Sequence, residues 1–597
     1  MCGIVGYIGK NCVEHNLIKD LKLLEYRGYD SAGVAVLNGK KINVIKSVGC
    51  IKNLEDKITT FENASLGIAH TRWATHGEAT ENNAHPHLSN NKNWAVVHNG
   101  IIENYAELKK DLIEKGFSFE SETDTEVISQ MLEYYQSNSP IETLVQVCGK
   151  LIGSFALAVI NKENESSLYL AKRKSPVYIC KTQNEVFIAS DPICFAGKSQ
   201  EYYYLNDDEF CEVSLNSIKF FNNKGNEIGK DKLKLEHLTT EVNKANFDHY
   251  MIKEIYETPG VLKRIVKTYE ENNVFNKIDK SILSNMDKVI FVGCGTAYHA
   301  GLMGVNYVEN FAKVQARCYV ASEFRYSDPI IDNKTLAIFV SQSGETADTL
   351  EALSLAKSKG ATTIALTNVL YSSIAKKADF ILPVCAGPEI AVASTKAYTA
   401  QISVLNMFAK YLSNVFRKTN YNFLEDISIL SEAIKLENVD NLKNLAKELA
   451  SETSAMFIGR NMDCITSEEA SLKLKEITYI NTHSHPAGEL KHGFLALVEN
   501  GTFVFVLATQ KSLLDKTLNG ASEAASRGAK IILATQFDCE TKNVINLYNT
   551  IKLKDLKEDL MPMVAIVHFQ MLSYLTSVEK GIDPDKPRNL AKSVTVE

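Results

Sequence analysis

The chain has no Cys-x-x-Cys pair, no run of about 18 apolar residues and no arginine-rich stripe with interleaved aromatics. Each absence excludes a class of protein. Twelve cysteines scattered over 597 residues suit free thiols in a reducing compartment, not a disulfide framework or a zinc site. Two His-x-His triplets occur, His85/His87 and His483/His485, but each offers only two local ligands, so no metal is expected. No cofactor is expected either. Without an apolar run of spanning length, no membrane span is expected. The N-terminus also lacks a basic segment followed by a continuous apolar one, so it does not read as a secretory signal. With 65 basic against 72 acidic residues the net charge is −7, and nothing points to a polyanion-binding surface or a nucleic-acid partner. The expected location is cytoplasmic.

What is present is ordinary in bulk: 45% hydrophobic and 23% charged residues, as in globular proteins generally. At this length three or four domains are expected. The informative feature is the start, Met1-Cys2-Gly3-Ile4-Val5-Gly6-Tyr7-Ile8-Gly9. If Met1 is trimmed, Cys2 carries a thiol and a free α-amine on one residue. With pKa values of about 8.5 and about 7.7–8.0, that is a nucleophile with its own general base. The apolar residues after it read as a short buried strand holding the cysteine on a rigid element.

Residues 1–238 are strand-rich, with runs at 67–70, 94–98 and 154–160 and helical stretches near 13–25, 103–115 and 124–136. The mixture suggests sheets covered by helices in an α+β domain. Three clusters carry chemistry: Glu25 to Ser31, His70 to Gly77, and His98-Asn99-Gly100 with the residues after it. Should Cys2 attack an amide, the Asn99 side chain and the Gly100 backbone N–H supply two donors for the oxyanion. Arg72 could hold a carboxylate bidentately, and Asp124 an α-ammonium. Thr123-Asp124 is equally a good helix start. These segments, together with Met1-Cys2-Gly3-Ile4-Val5-Gly6 and Thr123-Asp124-Thr125-Glu126, resemble the glutaminase domain of the class II, N-terminal-nucleophile amidotransferases. The resemblance implies a four-layered αββα fold that hydrolyses glutamine to glutamate and ammonia. It implies Cys2 as nucleophile, Asn99 and Gly100 as oxyanion hole, and Arg27, Arg72, Thr75, His76 and Asp124 around the glutamine.

Residues 239–284 read as a helical connector interrupted at Pro259-Gly260. Beyond Lys288 strands and helices alternate, as in a doubly wound parallel sheet. The pattern recurs, Ser358 to Thr367 being echoed by Ser526 to Thr535, so two related α/β domains are expected, at 285–425 and 447–585. In the first copy Ser341-Gln342-Ser343-Gly344-Glu345-Thr346 follows a strand and opens a helix, an arrangement that fits a phosphate. In the second, Ser467 to Tyr479 reads as an amphipathic helix with Ala470, Leu474 and Ile477 inward and Lys473 and Glu476 on one face. The tail, 586–597, has little helix or strand character, and such tails are usually disordered.

Val340 to Thr349, Val392 to Ala397, Leu472 to Ile477, Ala487 to Gly493 and Pro587 to Glu597 resemble tandem sugar-isomerase (SIS) domains. Joined to the glutaminase half, they make the chain similar to the family of isomerizing glutamine–fructose-6-phosphate aminotransferases. That resemblance implies L-glutamine and D-fructose 6-phosphate as substrates, and at least a homodimer. It implies Thr296, Ser341, Gln342, Ser343, Thr346 and Ser394 around the sugar phosphate, and His492 assisting ring opening. Lys592 would form a Schiff base at C2, with the tail ordered over the sugar site. Glu476, supported by Lys473, would move a proton between C1 and C2. Trp73 would gate the ammonia. Two departures stand out: Ala297, where the family often has serine, and Phe494, where it usually has proline, next to the atypical His483-Ser484-His485-Pro486. The long insertion of eukaryotic members near the connector is missing, which points to the bacterial type, without nucleotide-sugar feedback. Other readings fit less well. A fructosamine-phosphate deglycase would lack the Cys2 domain, and a phosphoribosylpyrophosphate amidotransferase the tandem SIS domains. A sugar-phosphate sensor would not need Glu476, His492 and Lys592 together.

Overall fold

The structure is a computed structural model that describes residues 2–61, 64–74, 76–234, 243–436, 439–538 and 547–595. Thr75, one of the expected glutamine contacts, lies outside the described residues. The chain divides into two compact units, Met1–Val242 with Ala591–Glu597, and Asn243–Leu590.

The first unit is built on two antiparallel sheets. In the eight-stranded sheet Gly3–Gly9 lies between Glu185–Ala189 and Leu66–Arg72, with Ser31–Asn38 beyond. In the seven-stranded sheet Gly153–Asn161 lies between Trp94–Ile102 and Ser167–Arg173. Alternation along a strand decides which layer each side chain enters. Ala95 and Val97 point to the core shared with Ile4, Ile8 and Ile68 of the other sheet. Trp94 and Val96 point the other way, under Leu112, Ile128, Met131 and Leu144 of the covering helices. On the far side, helix Val13–Lys22 lies so close to Leu66–Arg72 that a Cβ at Gly67 would come within 2.9 Å of Leu17. The order is helix, sheet, sheet, helix, the expected αββα arrangement.

The second unit contains two five-stranded parallel sheets with the same strand order. One runs Gln315–Val320, Lys288–Gly293, Thr335–Ser341, Thr362–Thr367, Phe380–Pro383. The other runs Asn481–Pro486, Ser454–Gly459, Phe503–Leu507, Lys530–Thr535, Leu547–Lys552. The expected duplication is thus real in three dimensions. Both faces of each sheet are covered, which is why the strands read as continuous apolar runs. Val289 and Phe291 enter one core and Ile290 and Val292 another. Ala455 and Phe457, from the second sheet, share the core of Val289 and Phe291.

Two expectations change. The connector is not interrupted at Pro259: helix Tyr250–Glu271 runs through it and buries Met251, Ile255, Val261, Leu262 and Ile265 in the shared core. That burial outweighs the one backbone hydrogen bond proline removes. Also, one described stretch, Glu558–Glu579, is long and apolar enough to cross a membrane (mean hydropathy 1.3), where none is expected from the sequence. Of its apolar window 83% is buried inside this unit, with Val564, Ile566, Phe569 and Leu572 in the shared core, as in a core helix of a globular domain.

Candidate active site

In the first unit, strand Gly3–Gly9 presents Cys2 at its start, beside the end of Leu66–Arg72. The Cys2 Sγ accepts the Trp73 N–H at 3.3 Å and lies 3.7 Å from the Trp73 carbonyl oxygen. Burial pushes the thiol pKa up, although the Trp73 N–H and the Arg72 charge pull against it. The Cys2 side chain therefore rests as a thiol, so any attack it made would first require its proton to leave.

Asn99 approaches from the other sheet. Its Nδ2 donates to the Cys2 carbonyl oxygen at 3.1 Å, and its Oδ1 lies 3.1 Å from His70 Nε2. Gly100 follows at φ +141°, and a Cβ there would stand 2.0 Å from the Ser154 carbonyl oxygen, so only glycine fits. Asp124 accepts the Ile102 N–H at 2.7 Å. The helix after it begins at Glu126 and its N-terminal cap, Thr125, makes no side-chain capping bond. Asp124 is thus tied to strand Trp94–Ile102 and is not the helix cap its sequence suggests.

The loop after Arg72 is held from below. The Arg72 guanidinium donates to the carbonyls of His76, Gly77 and Glu78, and Asp30 accepts the Ala74 N–H at 2.9 Å. The Trp73 ring meets Tyr29 edge-on and His76 meets Tyr105. Arg27 is buried in an ion pair with Asp191, next to the Tyr26 hydroxyl. Sequence reasoning names Arg72 as a ligand group; its guanidinium also shapes the loop around the thiol. Asp30 is missed, although it stands within the Glu25–Ser31 cluster.

In the second unit, Ser341 closes its strand and binds back on the turn: its hydroxyl accepts the Gly344 N–H at 3.0 Å and lies 3.0 Å from the Thr346 hydroxyl. Ser343 accepts the Glu345 N–H at 3.2 Å. Thr346 precedes helix Ala347–Ser358 without capping it through its side chain. The turn needs Gly344 at φ +66°, where a Cβ would strike Ser372. Gln342 lies in this turn. The Ser394 hydroxyl is buried without a hydrogen-bond partner, in the loop that Glu389 and Glu254 fasten by accepting backbone N–H groups.

The titratable cluster forms where helix Thr296–Tyr307 of the first copy meets helix Met462–Thr478 of the second. Lys473 Nζ lies 2.6 Å from Glu476, 2.9 Å from the Thr296 hydroxyl and 3.4 Å from Glu469. Burial opposes a charge on Lys473, but the Glu469 and Glu476 carboxylates more than offset it and raise its pKa. Glu469 is wholly buried and also takes the Thr296 hydroxyl at 3.0 Å and His299 at 2.7 Å. Glu469 and His299 are missed by sequence reasoning, since only the fold brings their helices together. Thr296, an expected phosphate contact, is engaged with these groups.

His492 is exposed at the end of the turn Leu490–His492 and does not join this hydrogen-bonded cluster among the described residues. The two local departures explain each other: the Phe494 ring stacks on His485 at 3.4 Å and 18°, beside His483. Lys592 belongs with Ala591–Glu597 in the first unit, while the residues before it are anchored in the second. There Asp585 accepts the Tyr250 and Met251 N–H groups at 2.8 Å, and Arg588 lies over the Tyr479 ring.

A glutamine amidotransferase domain matches residues 70–196 and an SIS domain matches twice, at 282–411 and 448–579. An isomerizing glutamine–fructose-6-phosphate aminotransferase of Caldanaerobacter subterraneus subsp. tengcongensis is 43% identical over the whole of both chains. The chain belongs to that family. A second relative of the same name, from Clostridium acetobutylicum, is 42% identical, again over the whole of both. Among solved structures, the C-terminal domain of glucosamine-fructose-6-phosphate aminotransferase from Francisella tularensis matches with a TM-score of 0.55 and 32% identity. It covers 58% of this chain and all of that one.

Proposed function

We propose that the chain transfers the amide nitrogen of L-glutamine to D-fructose 6-phosphate and isomerises the product, giving glucosamine 6-phosphate and glutamate. Full-length identity to the family, with both halves matched, carries the reading. Cys2 Sγ attacks the carboxamide carbon, and the oxyanion is met by Asn99 Nδ2 and the Gly100 N–H. Collapse expels ammonia and leaves a thioester, which water cleaves to glutamate. Arg72, Thr75, His76 and Asp124 contact the glutamine, with Arg27 fixing the wall through Asp191. Trp73 gates the departing ammonia.

At the sugar, the Ser341–Thr346 turn with Ser394 takes the phosphate, and Thr296 lies beside it. His492 assists ring opening. The Lys592 amine condenses with the C2 carbonyl, releasing water, and ammonia displaces it to leave the C2 imine. Glu476 takes a proton from C1 and returns one to C2, while the C1 hydroxyl proton passes to nitrogen, giving the aldose. Lys473, held charged between Glu469 and Glu476, aims the Glu476 carboxylate. The family resemblance supports three finer points: a homodimer, a cytoplasmic location, and a place at the entry to amino-sugar synthesis.

Two variants test the division of labour. Cys2→Ala is expected to abolish both glutamate release and glutamine-dependent synthesis. Lys592→Ala is expected to keep glutamate release and make no amino sugar. A Lys592→Ala protein that still makes glucosamine 6-phosphate contradicts the Schiff-base role.

A further inference from the structure

Behind Asn99 lies a histidine that the reaction above does not use. His70 occupies the strand Leu66–Arg72, opposite Ile4 on one side and Gly33 on the other, and is wholly buried. Its Nε2 lies 3.1 Å from Asn99 Oδ1 and 3.0 Å from the His98 carbonyl oxygen. Both neighbours are acceptors without a proton to give, so Nε2 carries the hydrogen and donates to them. Its other nitrogen, Nδ1, is buried without a hydrogen-bond partner. The ring stacks on His85 at 4.1 Å and 13°. His85 is held in turn, its Nδ1 accepting the His98 N–H at 3.3 Å. Burial pushes the His70 pKa down to about 3 against the pull of the Asn99 bond, so the ring is neutral wherever the fold persists.

A carboxamide has two ends of nearly equal shape and opposite hydrogen-bonding sense. Which end of Asn99 faces the thiol decides whether an oxyanion meets a donor or a repelling oxygen. On the Cys2 side the neighbour is a carbonyl oxygen, which requires Nδ2; on the far side the neighbour is the His70 N–H, which requires Oδ1. The Cys2 contact is only partly buried, at the thiol, whereas the His70 contact is buried within the fold. We propose that His70 is a positioning residue of the oxyanion hole: its Nε2–H holds the Asn99 carboxamide with Nδ2 toward Cys2 throughout the reaction. The proposal rests on the assignment of Cys2 as nucleophile and Asn99 as oxyanion donor.

His70→Phe keeps a ring to stack on His85 but removes the donor, while His70→Gln offers an N–H again. In the full-length protein three quantities are measured: kcat and KM for glutamine hydrolysis, and the rate at which iodoacetamide alkylates Cys2. Alkylation forms no oxyanion. Removing a whole oxyanion-hole donor costs about 10²–10³ in rate, so losing its alignment is expected to lower kcat about 10–100-fold in His70→Phe. KM and alkylation rate should stay within about three-fold, and His70→Gln should recover kcat to within about five-fold. A folded His70→Phe with unchanged kcat overturns the proposal, as does a loss in which kcat and alkylation fall together. If His70→Phe does not fold, His70→Gln decides: retained kcat supports the role, and a folded His70→Gln about 100-fold slower with normal alkylation refutes it. Cys2→Ala and Asn99→Ala run alongside. Activity surviving in either overturns the underlying assignment; activity lost in both but kept in His70→Phe overturns only the inference.

Discussion

Four histidines of the first unit, His70, His85, His87 and His98, are buried against one another and one another's strands. Burial lowers the pKa of every one of them. Each is neutral when folded and free to protonate near pH 6.5 when unfolded. Between the lowered folded values and about 6.5 the unfolded chain binds more protons, so stability falls as pH falls through that window. The slope is about 1.4 kcal/mol per pH unit for each fully neutral ring. The chain's two tryptophans, Trp73 and Trp94, both lie in the first unit, so their fluorescence follows that unit alone. Its melting temperature is expected to drop steeply between pH 6.5 and 4.5, and a flat profile there would mean that the rings protonate in place. The sequence announces Cys2, Arg72, Asn99 and Asp124, because their chemistry or their motif is local. It does not announce His70, whose partner depends on the register of one sheet against another. It also misleads on Asp124 as a helix cap, because a good capping pattern cannot show that a neighbouring strand has a stronger claim on the carboxylate.

Helix Tyr250–Glu271 shows what sequence leaves out at the level of elements. Pro259 suggests a break, yet the apolar stripe of this helix is buried along its length and the helix continues. Its start is completed from far along the chain by Asp585, whose carboxylate takes two backbone N–H groups. The same contact anchors the chain just before the tail. Asp585→Ala leaves both donors unpaired in a buried place and should cost about 2 kcal/mol. Urea unfolding followed by circular dichroism should show the loss while tryptophan fluorescence keeps its midpoint. A shift in the fluorescence midpoint instead would mean that the contact supports the first unit. The loop before His492 teaches a related lesson: His485 and Phe494 look like two separate anomalies in the sequence, and the structure stacks one on the other.

For the whole molecule, the duplication was readable because both copies must supply apolar strands buried on both faces, followed by glycine turns. Identical strand order in the two parallel sheets follows from it. Their joint core, and the meeting of Thr296 and His299 with Glu469 and Lys473, were not readable, since residues far apart in sequence form them. The first unit sets Asn99 against Cys2 and contains the glutamine amidotransferase match. The second contains both SIS matches, the Ser341–Thr346 turn and a carboxylate–ammonium–carboxylate row. Their presence in one chain is meaningful if the two chemistries are coupled. Purified protein given glutamine with and without fructose 6-phosphate, with glutamate and glucosamine 6-phosphate both followed, tests this directly. The account predicts both products in equal amounts, with glutamate release accelerated by the sugar phosphate. Glutamate formed at the same rate in both arms, without amino sugar, would contradict it.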